Sequence, residues 1–168
     1  MKIFIIWITL LVGIWGMSMA QTTPNCTSIS GYASYPTPLT TAQINSINSD
    51  QALQFPNAVK LEEPTSAYNC HNYAWVKTTG GSTFWLTTPG DDVFWNDGSY
   101  TATSYTGGAD FRVSYQGDHS AVTTSVLNQC ISKWGAWGLY RHNTTYVENS
   151  VKLTTSIRFK LVHPHFWW

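Results

Sequence analysis

The clearest periodic pattern lies near the end of the chain. Val151, Leu153, Thr155, Ile157, Phe159 and Leu161 alternate there with Lys152, Thr154, Ser156, Arg158 and Lys160. A period of two with apolar and polar sets predicts a strand with one buried and one wet face. Upstream, Phe111 to Tyr115 reads as a strand, Gln116-Gly117 as its turn, and Ser120 to Val126 as the returning strand, with His119 at its start. Leu127-Asn128-Gln129 is a further turn and Cys130 to Trp134 a third strand, which together predict a meander. The pattern changes before Gly81. Ala67, Cys70 and Ala74 recur at helical spacing, which predicts a short helix from about Ala67 to Val76, capped by Thr65 or Ser66 and stopped by Gly80-Gly81. Thr41 to Asn48, with Ile44 and Ile47 on one face, reads as a second short helix. Residues from Gln21 to Thr40 show no period and read as an extended arm, and Phe84-Trp85-Leu86 through Gly107-Gly108 as a loop-rich aromatic insertion.

Together these elements predict an α+β fold with a small antiparallel sheet. The first block modifies the domain plan: Lys2, the apolar run Ile3 to Ile14, and Ser18-Met19-Ala20 ahead of Gln21 have the order of a secretory signal peptide. That run is shorter than the roughly 20 residues a membrane span wants, so no stable membrane insertion is expected after cleavage. The expected organisation is a signal peptide over 1–20, an arm with a short helix over 21–62, and a domain over 63–168 that forms one compact unit with the arm. A secreted or periplasmic location follows.

Charge narrows the partners. The chain carries 9 Lys and Arg against 9 Asp and Glu, and loss of the leader with Lys2 leaves a net charge of −1. No basic stripe or run is present, so capture of nucleic acid through its phosphates is not expected. The three cysteines are Cys26, Cys70 and Cys130. An odd number in an oxidising compartment leaves one over. The simplest arrangement ties Cys26 to Cys130 and frees Cys70; a buried structural role or a disulfide for Cys70 is the alternative.

A free Cys70 in the first turn of a helix is placed to be a thiolate, because unpaired backbone N–H groups and the helix dipole favour the anion there. A nucleophile of this kind needs a base from elsewhere in the fold, and His119 at a strand start is the candidate. The strings Tyr68-Asn69-Cys70-His71-Asn72-Tyr73-Ala74-Trp75, Asp118-His119-Ser120-Ala121-Val122 and Ile131-Ser132-Lys133-Trp134-Gly135 resemble papain-like bacterial cysteine hydrolases of the CHAP and NlpC type. The resemblance runs from about Glu63 to Tyr146. It implies a papain-like fold, with a short nucleophile-bearing helix packed on the sheet, and hydrolysis of amide bonds, most often in peptidoglycan.

One position departs from that family. Where such enzymes place Glu or Asn on the strand after the histidine, this chain has Ser132-Lys133, and lysine has no acceptor to orient an imidazole. Ser132, Lys133 and His142 are the candidates for the third role, alongside a backbone carbonyl or a bare Cys70–His119 dyad. His71, about 100° from Cys70 around the helix, is expected to make a structural hydrogen bond or line the cleft rather than to act as base. Asp118 is expected to be a turn residue accepting backbone N–H bonds. Asn69, Tyr73, Trp85, Trp95 and Trp134 are candidate cleft-lining residues, against the default that large aromatics are core. His163-Pro164-His165 has two imidazoles on one side of an extended chain, but its terminal position and proline favour a tail; Asn25 and Asn143 head N-x-Thr strings that matter only in a eukaryotic secretory path.

The expected function is an exported cysteine peptidase or amidase acting on a peptide or peptidoglycan, without a cofactor or metal, and with an inhibitor or immunity protein as a conceivable partner. A catalytically inactive glycan- or protein-binding module on the same fold is the alternative. A metal-dependent hydrolase using Cys70, His119 and His142 is a third reading.

Overall fold

The computed structural model of the chain describes residues 21–29, 32–33, 37–104, 107–115, 118–145 and 156–162, and at 32–33 and 156–158 the backbone alone. The leader over 1–20, the Gln116-Gly117 turn, the first half of the alternating segment and the His163-Pro164-His165 tail lie outside the described residues.

The chain forms an antiparallel sheet of 7 strands with helices, an α+β architecture. Its centre is the expected meander: β5 (Arg112–Tyr115), β6 (His119–Thr123) and β7 (Gln129–Lys133), continued by β8 (Leu139–Asn143). β8 sets no period of its own in the sequence, where the glycines ahead of it, Gly135 and Gly138, only mark where the third expected strand stops. They are instead the hairpin, with Gly135 at φ +52 and Gly138 so close to the neighbouring strand that a Cβ would stand 2.5 Å from Glu62 O. β2 (Val59–Glu62) pairs with β8 as one edge, so the segment expected to be an arm supplies a strand of the main sheet. On the other side, β9 (Ser156–Leu161) pairs with β5 and β4 (Tyr100–Thr103) closes the sheet, giving the order β2-β8-β7-β6-β5-β9-β4. In β9 the expected alternation holds at Phe159, which is buried, and Lys160, which is exposed; Leu161 at the strand end is 36% exposed. A separate pair joins β1 (Tyr32–Ala33) to β3 (Trp85–Leu86).

Helix α1 runs from Thr41 to Gln54, longer than the sequence pattern indicated. Thr40 and Gln43 form a reciprocal capping box at its start, and nothing from Ser49 to Gln54 breaks a helix. Pro56 sets the limit, since a residue before proline avoids the helical region and α1 stops one residue earlier still. Helix α2, in contrast, is shorter than expected, Cys70–Trp75. Its cap is Asn69, whose Oδ1 accepts from Asn72 N at 3.1 Å. The expected caps are engaged elsewhere: Ser66 Oγ donates to Thr37 O at 3.0 Å, and Thr65 Oγ1 accepts from Ala67 N at 3.1 Å. A one-turn 3₁₀ segment, Lys77–Thr79, follows and ends on Gly80 at φ +87.

Helix α2 packs against β6, and Trp75 is the hub of the core beneath it. Its ring centroid lies 5.6 Å from Phe94, 5.1 Å from Trp95, 5.2 Å from Tyr100 and 5.6 Å from Phe159. Phe94 and Trp95 belong to α3 (Val93–Asn96), a short turn of helix inside the insertion. Trp134, Tyr140 and Ala58 form a further cluster with Phe55 and Trp137. The N-terminal residues are fastened to the end of α3: Thr23 Oγ1 donates to Asp97, and Asn25 N donates to Ser99 Oγ at 3.0 Å. These ties also correct the expected disulfide. Cys26 is an exposed free thiol in this turn, whereas Cys130 is a free thiol buried among Val113, Tyr115 and Ala121.

Candidate functional site

Because Asn69 caps α2, Cys70 takes the first helical position, where backbone N–H groups have no partner within the helix. The Asn69 side chain also donates to Leu86 O at 2.6 Å and accepts from Leu86 N at 3.3 Å. A single amide thus fixes both the helix start and β3, and these two elements form two walls of a cleft. The cleft, of about 440 Å³, is lined by Cys70, His71, Trp85, Thr87, His119 and Gly135 among others. His119 enters it as the first residue of β6.

Cys70 is only 6% exposed. Burial pushes its thiol up, but positive charge on His71, and then charge and a hydrogen bond from His119, pull it well below the ordinary thiol value. His71 is the larger influence, and its own state is set by three anions. Burial disfavours its charge, yet the Cys70 thiolate, Asp118 and Asp91 together raise it to about 12. The geometry is a clamp: Nδ1 lies 2.9 Å from Asp91 Oδ2 and 2.9 Å from Ser120 Oγ, and Nε2 lies 3.0 Å from Asp118 Oδ1. Ser120 Oγ in turn accepts from Trp75 Nε1 at 3.0 Å. His71 is therefore a fixed imidazolium at neutral pH, holding its proton too tightly to act as a base. It remains close enough in space to stabilise the neighbouring thiolate.

This corrects the expectation for Asp118. It does sit in a turn, at φ +73, but its carboxylate is committed to His71 and to the Thr88 hydroxyl rather than to backbone N–H groups. The His71 hydrogen bond, working against partial burial and helped by Thr88, lowers it to about 2. Sequence reasoning missed Asp91, Ser120 and the ionic role of Asp118. Pro89-Gly90-Asp91-Asp92 carries only a turn signal, and nothing in the local sequence says that this turn folds back onto α2.

The candidates for a third residue are placed elsewhere. Ser132 Oγ lies 2.7 Å from His142 Nε2 and accepts from Trp134 Nε1 at 2.9 Å. His142 also approaches the Cys130 thiol at 3.8 Å. Lys133 is fully buried and donates to Thr65 O at 2.9 Å, to Gly135 O at 2.5 Å and to Trp137 O. It ties the β7–β8 hairpin, which carries Gly135 into the cleft, to the segment ahead of α2. His119 Nε2 is buried with no hydrogen-bond partner among the described residues, so neither Ser132, Lys133 nor His142 orients it through that nitrogen. With Nε2 unpartnered, Nδ1 is the nitrogen that remains to meet the sulfur.

Of the aromatic candidates, Trp85 lines the cleft. Trp95 does not wall it: its ring stacks on Phe159 at 5.0 Å and 21° within the core. Trp134 is fully buried, 4.4 Å from the Tyr140 ring. Tyr73 is half-buried against the same core as Trp75 and stands under the Lys77 ammonium at 5.9 Å. No group of three or more His, Cys, Asp or Glu side chains among the described residues is arranged to hold a metal ion, which removes the geometric basis for joining Cys70, His119 and His142 in one centre. Comparison of the chain with protein-family models, with curated proteins and with solved structures finds no match.

Proposed function

We propose that this protein is a thiol hydrolase of papain-like design, an exported peptidase or amidase that cuts amide bonds in peptidoglycan peptides. The observation that carries this reading is the charge-stabilised Cys70 in a cleft shared with His119. A nearly buried thiol with a lowered pKa is costly for a structural cysteine and useful for a nucleophile. The thiolate attacks the carbonyl carbon, His119 delivers its proton to the departing amine, and the same histidine then takes a proton from the water that releases the acyl group. His71, fixed by Asp91 and Asp118, keeps its proton throughout and supplies a constant positive field. The leader-like segment over 1–20 supports export.

The alternative, a non-catalytic binding module, is favoured by one observation: among the described residues the buried His119 Nε2 meets no partner of the kind that orients a catalytic imidazole. Incubation of the purified protein with peptidoglycan fragments, followed by mass spectrometry, separates the two. Hydrolysis by the wild type that is lost in Cys70→Ser and in His119→Ala supports the enzyme. Retention on peptidoglycan without turnover, unchanged by Cys70→Ser, supports the module instead.

A further inference from the structure

His71, Thr88, Asp118 and His119 also line a second cavity, of about 280 Å³, together with Asp91, Asp92, Ser114 and Tyr115. Two of its lining residues carry buried polar atoms that lack a partner among the described residues, Asp91 Oδ1 and His119 Nε2. Asp91 is 3% exposed and His119 6% exposed, so neither atom is served by bulk water at the surface. Buried polar atoms left unmet forfeit the hydrogen bonds that water gives them in the unfolded chain. Their chemistry is complementary, and the polar cavity beside them has ample room for an ordered water, which occupies about 30 Å³ and wants two to four polar partners.

We propose that Asp91 is the positioning residue for His119, acting through ordered water held in this second cavity between Asp91 Oδ1 and His119 Nε2. The other groups around the imidazole have different commitments. Asp118 serves His71 and Thr88, and the Tyr115 hydroxyl donates to Thr144 O at 3.2 Å and meets the Cys130 thiol. Asp92 lies in the same turn as Asp91 and is half-buried; Cys70 and His71 face the ring from α2. Asp91 is thus bifunctional. Oδ2 holds the His71 cation, and Oδ1, through water, holds a proton on His119 Nε2, so that Nδ1 is the nitrogen that exchanges its proton with the sulfur and the leaving amine. The third role is filled from the insertion that precedes the sheet rather than from the strand after the histidine.

Asp91→Asn tests this sharply. The His71 Nδ1–H requires an acceptor, so the amide oxygen turns to His71 and the NH₂ faces the cavity, which reverses the direction of the water bridge. Long-range ¹H–¹⁵N spectra of ¹⁵N-histidine protein in a Cys70→Ser background read the His119 tautomer directly. The expected result is an Nε2–H ring in the parent, a shift toward Nδ1–H with Asp91→Asn, and no shift with Asp118→Asn, which removes only the other carboxylate of His71. An unchanged His119 tautomer in Asp91→Asn overturns the proposal. A crystal structure of the wild type provides an assay that needs no variant to fold: water within hydrogen-bond distance of both atoms supports the bridge, and a cavity without it refutes the bridge. The effect on turnover rests on the hydrolase reading, under which Asp91→Asn lowers kcat about 10²-fold with KM little changed, the scale of a misaligned general base. If no peptide is cut at all, that reading fails while the tautomer result still decides the role of Asp91.

Discussion

The Cys70–His71 pair makes a prediction about stability that can be counted in protons. In the folded protein the thiol is ionised and the imidazole protonated, whereas in the unfolded chain both have ordinary values, near 8.5 and 6.5. Between about pH 6.5 and 8.5 the folded pair holds one proton, on His71, and the unfolded pair also holds one, on the thiol. The pair therefore contributes no slope to stability in that window. Above it the unfolded thiol ionises while folded His71 keeps its proton up to about 12, so stability falls as pH rises. Below it the unfolded imidazole gains a proton the folded pair does not take up, and stability falls as pH drops. Cys70→Ser removes the thiol from this count. His71 remains raised by Asp118 and Asp91, so the variant loses stability through the whole window, at about 1.4 kcal/mol per pH unit. Contributions from groups that do not touch Cys70 cancel in the comparison. Urea denaturation of the two proteins at pH 6.5 and 8.5 should show their stabilities diverging by roughly 2.3 kcal/mol in favour of the wild type at the higher pH. Parallel stability–pH curves would refute the ion pair.

Three further substitutions probe the scaffold. Lys133→Met keeps the volume but leaves three part-buried carbonyls without their ammonium donor, and thermal or urea unfolding should show a loss of about 2–3 kcal/mol. Asn69→Ala removes the α2 cap and both bonds to Leu86, for a loss of about 1–2 kcal/mol and, since Cys70 is the next residue, a slower reaction of its thiol with alkylating agents. Gly138→Ala places a methyl 2.5 Å from Glu62 O and 3.0 Å from the Tyr140 ring, so the β2–β8 edge must part; a loss of 1–3 kcal/mol measured by urea denaturation is expected.

How far the sequence discloses this structure varies with the range of the interaction concerned. The meander was legible because each strand carries its own period and each turn its own residues. β8 was not, because Leu139-Tyr140-Arg141-His142-Asn143 mixes buried Leu139, Tyr140 and His142 with exposed Arg141 and Asn143 too briefly to set a period. β2 was missed for a related reason: all four of its residues are exposed, so edge pairing with β8 defines it without any apolar pattern. The proximity of Cys70, His119 and Trp85 in one cleft follows from the order helix, then strand, that the motifs display. The clamp on His71 does not, because it joins Asp91 and Asp118 to α2 across the fold. Helix geometry alone sends His71 away from Cys70; the two carboxylates that fix its charge make it act on the thiol all the same. Trp95 and Trp134 show the opposite case, where an aromatic in a loop or beside a glycine looks available to a ligand and is instead enclosed by other rings.

The central claim is that Cys70 is a thiolate nucleophile at neutral pH, and iodoacetamide labelling across pH, with each cysteine followed by peptide mass spectrometry, tests it most directly. Cys26 is exposed and Cys130 is buried in the sheet, so they serve as internal references for an accessible and an enclosed thiol. Cys70 is expected to be alkylated first at pH 6, at a rate that stays nearly flat up to pH 8. A Cys70 rate that climbs about tenfold per pH unit, as that of an ordinary protonated thiol does, or a Cys70 that resists alkylation as Cys130 does, would contradict it.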